Sequence, residues 1–248
     1  MQPVLLISLI IFLLIIAILV FGAPRVKIPR QPGLEGIDDP EAARAFDRIS
    51  RFPQFRLLRR MLLRELKKYH PSGIIVDIGC GPGYLVVLIA MTFPDVQVIG
   101  VDISEEMTET AACLISNLGL EPQVTFRLGE SQRLPFENGE VDFIVSSFSL
   151  HHWSEPEQAL WEIQRVLKPG GQFLIFDLRR DAPRLFYGLL KFAQTIVLPS
   201  VLRRVNEPVG SALASYTPTE ADALFHTISF REWKVKPGFA WMFIWGRS

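Results

Sequence analysis

Several features that define other protein classes are scarce in this chain of 248 residues. It has only two cysteines, Cys80 and Cys113, which argues against a disulfide framework and favours a reducing compartment. Lysine plus arginine and aspartate plus glutamate both number 26, so the chain lacks the basic excess of a nucleic-acid-binding protein. The four histidines and two cysteines have no metal-ligand spacing. The length suits one well-buried α/β domain, with neither nucleic acid nor metal expected.

Long hydrophobic runs are also rare, with a clear exception near the amino terminus. Val4 to Phe21 is apolar except for Ser8, which is long enough for a membrane-spanning helix. A cleaved signal peptide is the alternative, but no basic residue precedes the run and Phe21-Gly22-Ala23 is a poor cleavage site. The sequence therefore predicts a single-pass membrane anchor over residues 1–24.

The residues after this run indicate its orientation. Arg25, Lys27 and Arg30 follow it and no charged side chain precedes it, so the positive-inside rule places the following domain in the cytoplasm. Residues 25–37 are rich in proline and glycine and are predicted to be a linker. The folded domain is expected over residues 38–248.

Two arginine-rich helices are predicted before the first strand. The first begins at Pro40 after a cap at Asp38 or Asp39, and the second spans about Gln54 to Tyr69. Their basic residues form either a solvated helix face or a surface attracted to anionic headgroups beside the anchor. They are Arg44, Arg48, Arg51, Arg56, Arg59, Arg60 and Arg64.

Ile74 to Tyr84 has the pattern of a buried parallel strand that breaks into a glycine turn and opens a helix. Glycines let a ligand approach the main chain closely, and the helix offers free N–H groups. The third glycine comes one residue too early for a dinucleotide fingerprint. Asp77 would repel a pyrophosphate but accept a hydrogen bond from an ammonium group. The turn therefore favours a nucleotide-like ligand that carries positive charge.

The motif Asp77-x-Gly79-x-Gly81-x-Gly83 resembles the first motif of the class I S-adenosylmethionine-dependent methyltransferases. The resemblance implies S-adenosylmethionine as the cofactor, with its methionine portion at the glycines and its ammonium near Asp77. It implies a Rossmann-like α/β fold, with a seven-stranded, mostly parallel sheet, an antiparallel last strand and helices on both faces. The cofactor-binding residues expected in the turn are Asp77, Gly79, Cys80, Gly81 and Gly83.

Two later positions complete the expected cofactor site. Asp102 ends the second predicted strand about 20 residues after the glycines, which suits hydrogen bonding to two ribose hydroxyls, with Ile103 beside it. A helix N-cap is the alternative role for Asp102. By resemblance, Glu130 and Ser131 border the adenine. Phe46, in the first helix, is expected either to close the donor site or to be a core residue.

His151 and His152 follow the fourth predicted strand, where ligands bind in open parallel sheets. They are the candidates for a general base or for polar contact with the methyl acceptor. The quinone-biosynthesis enzymes of the family carry an arginine-asparagine pair here, which argues against a quinone acceptor. The resemblance is densest from Ile74 to Asp177 and lies closest to the small-molecule and lipid branch.

The predicted function is methyl transfer to a small, lipophilic acceptor at the cytoplasmic face of a membrane. A membrane-tethered binding or scaffold protein with the same fold is one alternative. An NAD-dependent oxidoreductase is another, but it leaves Asp77 and the third glycine unexplained. A nucleic-acid methyltransferase is disfavoured because no Asn/Asp-Pro-Pro-aromatic motif occurs. The sequence does not indicate the oligomeric state.

Residues 179–214 depart from the family pattern. Three arginines precede a strongly apolar run, Leu185 to Leu202, that is too broken for a second span. The segment is predicted to be a lid over the acceptor pocket, an amphipathic helix in the membrane interface, or a helix packed on the sheet.

Overall fold

The computed structural model describes residues 24–32 and 40–248. The predicted anchor, Val4 to Phe21, and the predicted caps Asp38 and Asp39 lie outside these residues. Within the described part, no helix is both long enough and apolar enough to cross a bilayer. Seven strands form one sheet: β1 (Ile74–Ile78), β2 (Gln97–Asp102), β3 (Val124–Leu128), β4 (Val141–Ser147), β5 (Leu167–Leu178), β6 (Glu232–Pro237) and β7 (Trp241–Arg247).

Helices occupy most of the connections between strands. A 3-10 turn, Lys67–Tyr69, precedes β1, and another, Leu150–His152, follows β4; a π-turn, Ala193–Val197, follows the sixth helix. The α-helices are α1 (Pro40–Ser50), α2 (Pro53–Leu66), α3 (Tyr84–Thr92), α4 (Glu105–Leu118), α5 (Pro156–Val166), α6 (Arg184–Phe192), α7 (Ser200–Arg204), α8 (Val209–Ala214) and α9 (Pro218–Phe225).

The strand order is β3-β2-β1-β4-β5-β7-β6. Strands β1 to β5 pair in parallel, and β7 is antiparallel to both β5 and β6. The predicted Rossmann-like sheet with an antiparallel last strand is therefore confirmed. This order reverses direction between β1 and β4, which is where ligands bind in such sheets, beyond the carboxyl ends of the strands.

Strand β1 is buried on both faces, as its sequence, apolar except for Asp77, predicts. Ile75 packs in one hydrophobic core, while Val76 and Ile78 pack in the core on the other side of the sheet. Helices cover both layers, so the first strand can be apolar at successive positions rather than at alternate ones. Its buried position holds the following glycine turn in place.

Strand β5 begins five residues earlier than the predicted start at Gln172. Leu167 already pairs with Val141, and the register then shifts so that Gln172 pairs with Phe143. Gly170 lies within this bulge at φ 79°. The proline and glycines that predict a turn therefore form an irregularity within the strand, because pairing resumes on both sides of it.

Residues 24–32, in the predicted linker, lie against the segment after β5. The Val26 N–H donates to Ala182 O at 3.1 Å, and Gln31 N–H donates to Leu213 O at 3.1 Å. Arg30 Nε donates to Ala214 O at 2.6 Å. The buried Arg180 guanidinium donates to Ile28 O at 2.7 Å. This part of the chain is thus held by side-chain and backbone hydrogen bonds.

Deleting residues 1–36 should destabilise the domain more than deleting residues 1–23, because only the longer deletion removes this docked segment. It takes away the acceptor that Ile28 offers to Arg180 and uncovers the surface under Val26. We expect a difference of about 2–4 kcal/mol in the free energy of unfolding, from one unpaired donor and one lost apolar contact. Urea unfolding followed by circular dichroism measures it, and equal midpoints and slopes would contradict the packing described.

Candidate active site

The glycine turn between β1 and α3 has the left-handed backbone that its sequence predicts. Gly79, Gly81 and Gly83 have φ of 71°, 52° and 79°. A Cβ at Gly79 would lie 2.2 Å from Ser149 Oγ, so that position has no space for a side chain. The N–H groups of Gly79 and Cys80 donate to the carbonyl of Val101 at 2.8 and 3.1 Å. The turn is therefore fixed to the end of β2.

Asp77 lies at the end of β1, directly below this turn. Its side chain is buried, and neither carboxylate oxygen has a hydrogen-bond partner among residues 24–32 and 40–248. Burial raises its pKa well above the usual range, and the nearby Asp102 adds to the effect. An unpaired buried carboxylate is costly and marks a place where a cationic or hydrogen-donating ligand would be favoured.

Asp102 joins the turn to the start of α4. Its Oδ2 accepts from Gly81 N–H at 2.7 Å, and its Oδ1 accepts from Ser104 N–H at 3.0 Å. Burial raises its pKa, although these N–H groups and that of Ile103 act in the opposite direction. The N-cap of α4 is Ser104, whose hydroxyl accepts from Met107 N–H at 3.4 Å. Asp102 is thus not the cap, and the alternative role considered from the sequence does not hold.

The remaining residues predicted to bind the cofactor differ in exposure. The Cys80 thiol is buried, and a Cβ at Gly100 would come within 2.8 Å of its sulfur, so this side chain packs on β2. Burial raises its pKa well above the ordinary value. Ile103 is partly exposed and Glu130 is exposed, whereas Ser131 is buried and donates to Gln132 Oε1 at 2.9 Å.

Helix α1 lies beside the glycine turn. The Phe46 ring is 3.9 Å from the position that a Cβ on Gly81 would take. Asp47, the next residue, accepts a hydrogen bond from the Tyr84 hydroxyl at 2.7 Å, which fixes α1 to the first turn of α3. Phe46 also packs against the small apolar cluster around Ala42 and Val201. It therefore borders both the turn and this cluster, as the two alternatives from the sequence envisage.

His151 and Asp177 form a buried pair at the carboxyl ends of β4 and β5. His151 Nδ1 lies 2.6 Å from Asp177 Oδ1, and the His151 backbone N–H donates to Asp177 Oδ2 at 2.9 Å. Burial opposes protonation of the ring, but the Asp177 carboxylate outweighs it, so the pKa of His151 is raised. A carboxylate can only accept, so Nδ1 carries the hydrogen and Nε2 is left as an acceptor.

Nε2 of His151 is buried and has no hydrogen-bond partner in the described part of the chain. His152 stacks at a tilt on His151, with ring centroids 4.1 Å apart, and is less buried. Phe148, three residues before His151, has φ 55°, which is rare for a bulky residue. The strained backbone at the end of β4 thus turns the chain into the 3-10 turn that carries both histidines.

The segment after β5 covers this pair. Helix α8 packs against the 3-10 turn of the histidines. Glu207, just before α8, contributes to the raised pKa of His151. Burial also raises the pKa of Glu207, whereas the Ser211 hydroxyl, 2.7 and 2.6 Å from the two carboxylate oxygens that share its one hydrogen, acts in the opposite direction. This part of residues 179–214 therefore packs over the turn that carries the histidines, and its role as a lid stays a prediction.

Asp177 and Glu207 were not among the residues singled out from the sequence. Asp177 carried a usable signal, because it is an acidic residue at the carboxyl end of a predicted buried strand. Glu207 carried none, since it lies in the segment that departs from the family pattern and reaches His151 only through the tertiary fold.

A cavity of about 600 Å³ lies beside Pro82 and Tyr84, at the start of α3. Asp47, Tyr84, Glu109 and Cys113 are among its lining residues, and Gly79, Asp102 and His151 are not. We assign the site from the converging strand ends and the unpaired Asp77 and His151 atoms, because those groups carry the chemistry.

Several known proteins are similar to this chain in sequence. A family model described as a methyltransferase domain matches residues 76–175. The demethylmenaquinone methyltransferase of Symbiobacterium thermophilum is 32% identical over 131 residues, 52% of each chain. The ubiquinone/menaquinone biosynthesis C-methyltransferase of Syntrophotalea carbinolica is 29% identical over 190 residues, 72% of this chain and 77% of the relative.

The fold is also found in solved structures. A crystal structure of an S-adenosylmethionine-dependent methyltransferase from Aquifex aeolicus is 21% identical, with a TM-score of 0.63 over 85% of this chain and 99% of that one. At 21% sequence identity, the similarity of the two structures supports a shared fold and nothing more. The chain spans about half the length, or less, of three of the curated relatives it matches.

Gly79→Ala should destabilise the protein, because the new Cβ would meet Ser149 Oγ and the residue would keep a left-handed backbone. We expect a loss of about 2–4 kcal/mol in the free energy of unfolding. Gly188→Ala in α6 is the matched control, since no atom of the described residues beyond its chain neighbours and its own helix backbone lies within 4 Å of its Cβ position, and alanine favours a helix. Urea unfolding of both variants measures the difference, and a Gly79→Ala protein as stable as the parent would mean that the turn is built differently.

Proposed function

We propose that this chain, whose residues 76–175 match a methyltransferase domain, is a class I S-adenosylmethionine-dependent methyltransferase that acts on a small, lipophilic acceptor at the cytoplasmic face of a membrane. S-adenosylmethionine is the cofactor of this family. The observation that carries the proposal is the buried Asp77 carboxylate, which has no hydrogen-bond partner among the described residues and lies beneath a turn with no space for a side chain at Gly79 or Gly83. A ligand with an amino-acid end and a positive charge fits this combination.

The residues around the turn bind different parts of the cofactor. Gly79 and Gly81 admit the methionine portion, and Asp77 attracts its ammonium directly or through water. Asp102 presents a carboxylate at the end of β2, where it can accept from two ribose hydroxyls. Ser131 and the exposed Glu130 border the adenine, and Phe46 limits access of water from the α1 side. S-adenosylmethionine, when bound, supplies a methyl group already activated by its sulfonium.

The main task of the protein is then to hold the acceptor in line with that methyl group and to exclude water. His151 is suited to take a proton from an acceptor that must lose one. Asp177 fixes its tautomer, so that Nε2 is the basic atom, and Nε2 has no competing partner in the described chain. His152, whose ring contacts that of His151, is a second polar group for the acceptor.

Two observations support a lipophilic acceptor. The names of two relatives refer to menaquinone and ubiquinone biosynthesis. The segment after β5 also covers the histidine pair with apolar helices, among them α8 with its buried Ala212 and Ala214. The acceptor need not be a quinone, because His151-His152 replaces the arginine-asparagine pair of the quinone enzymes.

The membrane location is part of the proposal and depends on the predicted anchor. Val4 to Phe21 would span the bilayer, and the cations that follow would keep residues 38–248 in the cytoplasm. A lipophilic acceptor dissolved in the bilayer would then reach an enzyme already held at its surface.

Asp102→Asn should weaken binding of S-adenosylhomocysteine roughly 10- to 100-fold, because hydrogen bonds from the ribose to a charged carboxylate are lost. Isothermal titration of detergent-solubilised full-length protein measures this, with S-adenosylmethionine and NAD titrated in parallel. Asp142→Asn is the control, since Asp142 binds Ile74 N–H and Lys168 Nζ at the opposite end of the sheet. Binding of NAD without either adenosyl ligand would refute the proposal, and no binding to folded protein would favour a scaffold.

Asp177→Asn should lower the pKa of His151, because burial then acts without the compensating carboxylate. In the parent protein the pKa lies above the ordinary value of about 6.5, so the neutral, basic form and any rate that requires it increase as pH rises through that raised pKa. The same pair stabilises the fold fully below about pH 6.5 and loses this contribution as pH rises through the raised pKa.

NMR titration of ¹⁵N-histidine-labelled protein measures this pKa without knowledge of the acceptor. Asp142→Asn, which alters a carboxylate at the far end of β4, should leave the His151 titration unchanged. An identical His151 titration in Asp177→Asn and in the parent would show that Asp177 does not control the base.

A further inference from the structure

Helix α6 and the π-turn after it present a row of large apolar side chains to the surroundings. Leu185, Leu189, Phe192, Ile196 and Val197 are 46%, 58%, 60%, 68% and 55% exposed. The first four recur at intervals of four, three and four residues, which places them on one side of a helix. We refer to these five residues as the α6 face. Single exposed apolar residues are ordinary in proteins, but a contiguous row of this kind marks an interaction surface.

The other side of α6 is already occupied by the domain. Phe186 contacts Phe239 edge to face, with ring centroids 6.5 Å apart. The Tyr187 hydroxyl donates to Arg180 O at 2.8 Å and lies 3.2 Å from Ala212 O. These contacts fix the rotation of α6 about its axis. The α6 face therefore points away from the domain, and the helix cannot bury both sides against the sheet.

The chain segment that carries the α6 face has charged side chains of one sign only. Between Pro183 and Asn206 the chain contains Arg184, Lys191, Arg203 and Arg204, and no aspartate or glutamate. Arg204 pairs with Glu41 at 2.8 Å, while Arg184 and Lys191 are exposed at the first and last turns of α6. An apolar row flanked by cations is the composition of helices that lie in the headgroup region of a bilayer. It is complementary to anionic lipids.

The α6 face also starts close to the end of the predicted anchor. Arg184 N–H donates to Pro24 O at 3.1 Å, and Val26 N–H donates to Ala182 O at 3.1 Å. Pro24 is the third residue after Phe21, where the anchor is predicted to end. Three residues span about 10 Å at most, so, if the anchor spans a bilayer and ends at Phe21, the first turn of α6 lies near the level at which the chain leaves it. Arg25 and Lys27, both exposed, add positive charge at this place.

We infer that the α6 face docks into the headgroup region of an anionic bilayer, as a second membrane contact beside the anchor. Its apolar side chains enter the boundary of the acyl chains, and Arg184 and Lys191 remain among the phosphates. The inference goes beyond the proposed function, because it concerns how the domain sits on the membrane whatever the acceptor is. It also remains testable if the chain has no methyltransferase activity.

The test measures the depth of single positions in the full-length protein. In a Cys113→Ser background, which leaves only the buried Cys80, Phe192→Cys and Ile196→Cys are each labelled with the polarity-sensitive dye NBD. Leu118→Cys is the matched control, since Leu118 is 49% exposed and ends α4, beside the β3 edge of the sheet. The proteins are reconstituted into vesicles of equal parts phosphatidylcholine and phosphatidylglycerol, with and without brominated acyl chains.

We expect NBD at positions 192 and 196 to shift its emission to the blue and to be quenched by brominated lipid, and NBD at 118 to do neither. Because all three proteins carry residues 1–23, the anchor alone cannot produce a difference between positions. Adding Arg184→Gln and Lys191→Gln should reduce the quenching at position 192 several-fold, and so should replacing phosphatidylglycerol with phosphatidylcholine.

Two results would overturn the inference. Emission at 192 and 196 that matches position 118 would place the α6 face in water. A blue shift without quenching by brominated lipid would mean that protein covers the face, either residues 1–23 of the same chain or a second copy. Equal quenching with and without phosphatidylglycerol would also contradict the inference that Arg184 and Lys191 attract the α6 face to anionic lipid.

Discussion

The candidate site depends on the attachment of the glycine turn to β2. Two N–H groups of the turn share the carbonyl of Val101, and the Asp102 carboxylate accepts from the N–H of Gly81. These bonds join the carboxyl ends of two parallel strands that are otherwise paired only along their length. They give hydrogen-bond partners to backbone N–H groups that a sharp turn would leave unpaired. They also set the position of Asp102 relative to the glycines. Asp77 remains outside this network, and among the described residues its carboxylate has no hydrogen-bond partner.

The two buried acids of the site are used in opposite ways. Asp77 is unpaired and its pKa is raised, so it is ready for a donor or a cation from outside the protein. Asp177 is paired within the protein, because both of its carboxylate oxygens contact His151. In the proposed function, cofactor attraction and acceptor chemistry would therefore rest on separate carboxylates, at the ends of β1 and β5. Strand β4 lies between these strands in the sheet, and its end carries the histidines toward both.

Much of the fold was predictable because it depends on local patterns. The apolar run of β1, the glycines at positive φ and the Ser104 start of α4 each have a cause within a few residues. The early start of β5 was not predictable, since it requires knowledge of which residue Leu167 would face. The docking of residues 24–32 was also missed, because proline, glycine and charge indicate a linker whether or not a buried arginine far along the chain binds its carbonyls. Asp177 could have been predicted, because it is an acidic residue at the carboxyl end of a buried strand, where ligands bind in parallel sheets. Glu207 could not, because only the tertiary fold brings it near His151.

The docked segment has a consequence for how far the domain can move. A flexible tether lets a catalytic domain sample a broad volume above the membrane, and its effective concentration at the surface falls as the tether lengthens. Here Pro24 and Val26 are bound to the domain itself, so the linker that the composition suggests is shortened to almost nothing on the amino-terminal side. If residues 4–21 span a bilayer, the domain can rotate about the anchor axis but can hardly rise from the surface. An acceptor confined to the bilayer would then be found by lateral diffusion in two dimensions rather than by a search through the cytoplasm.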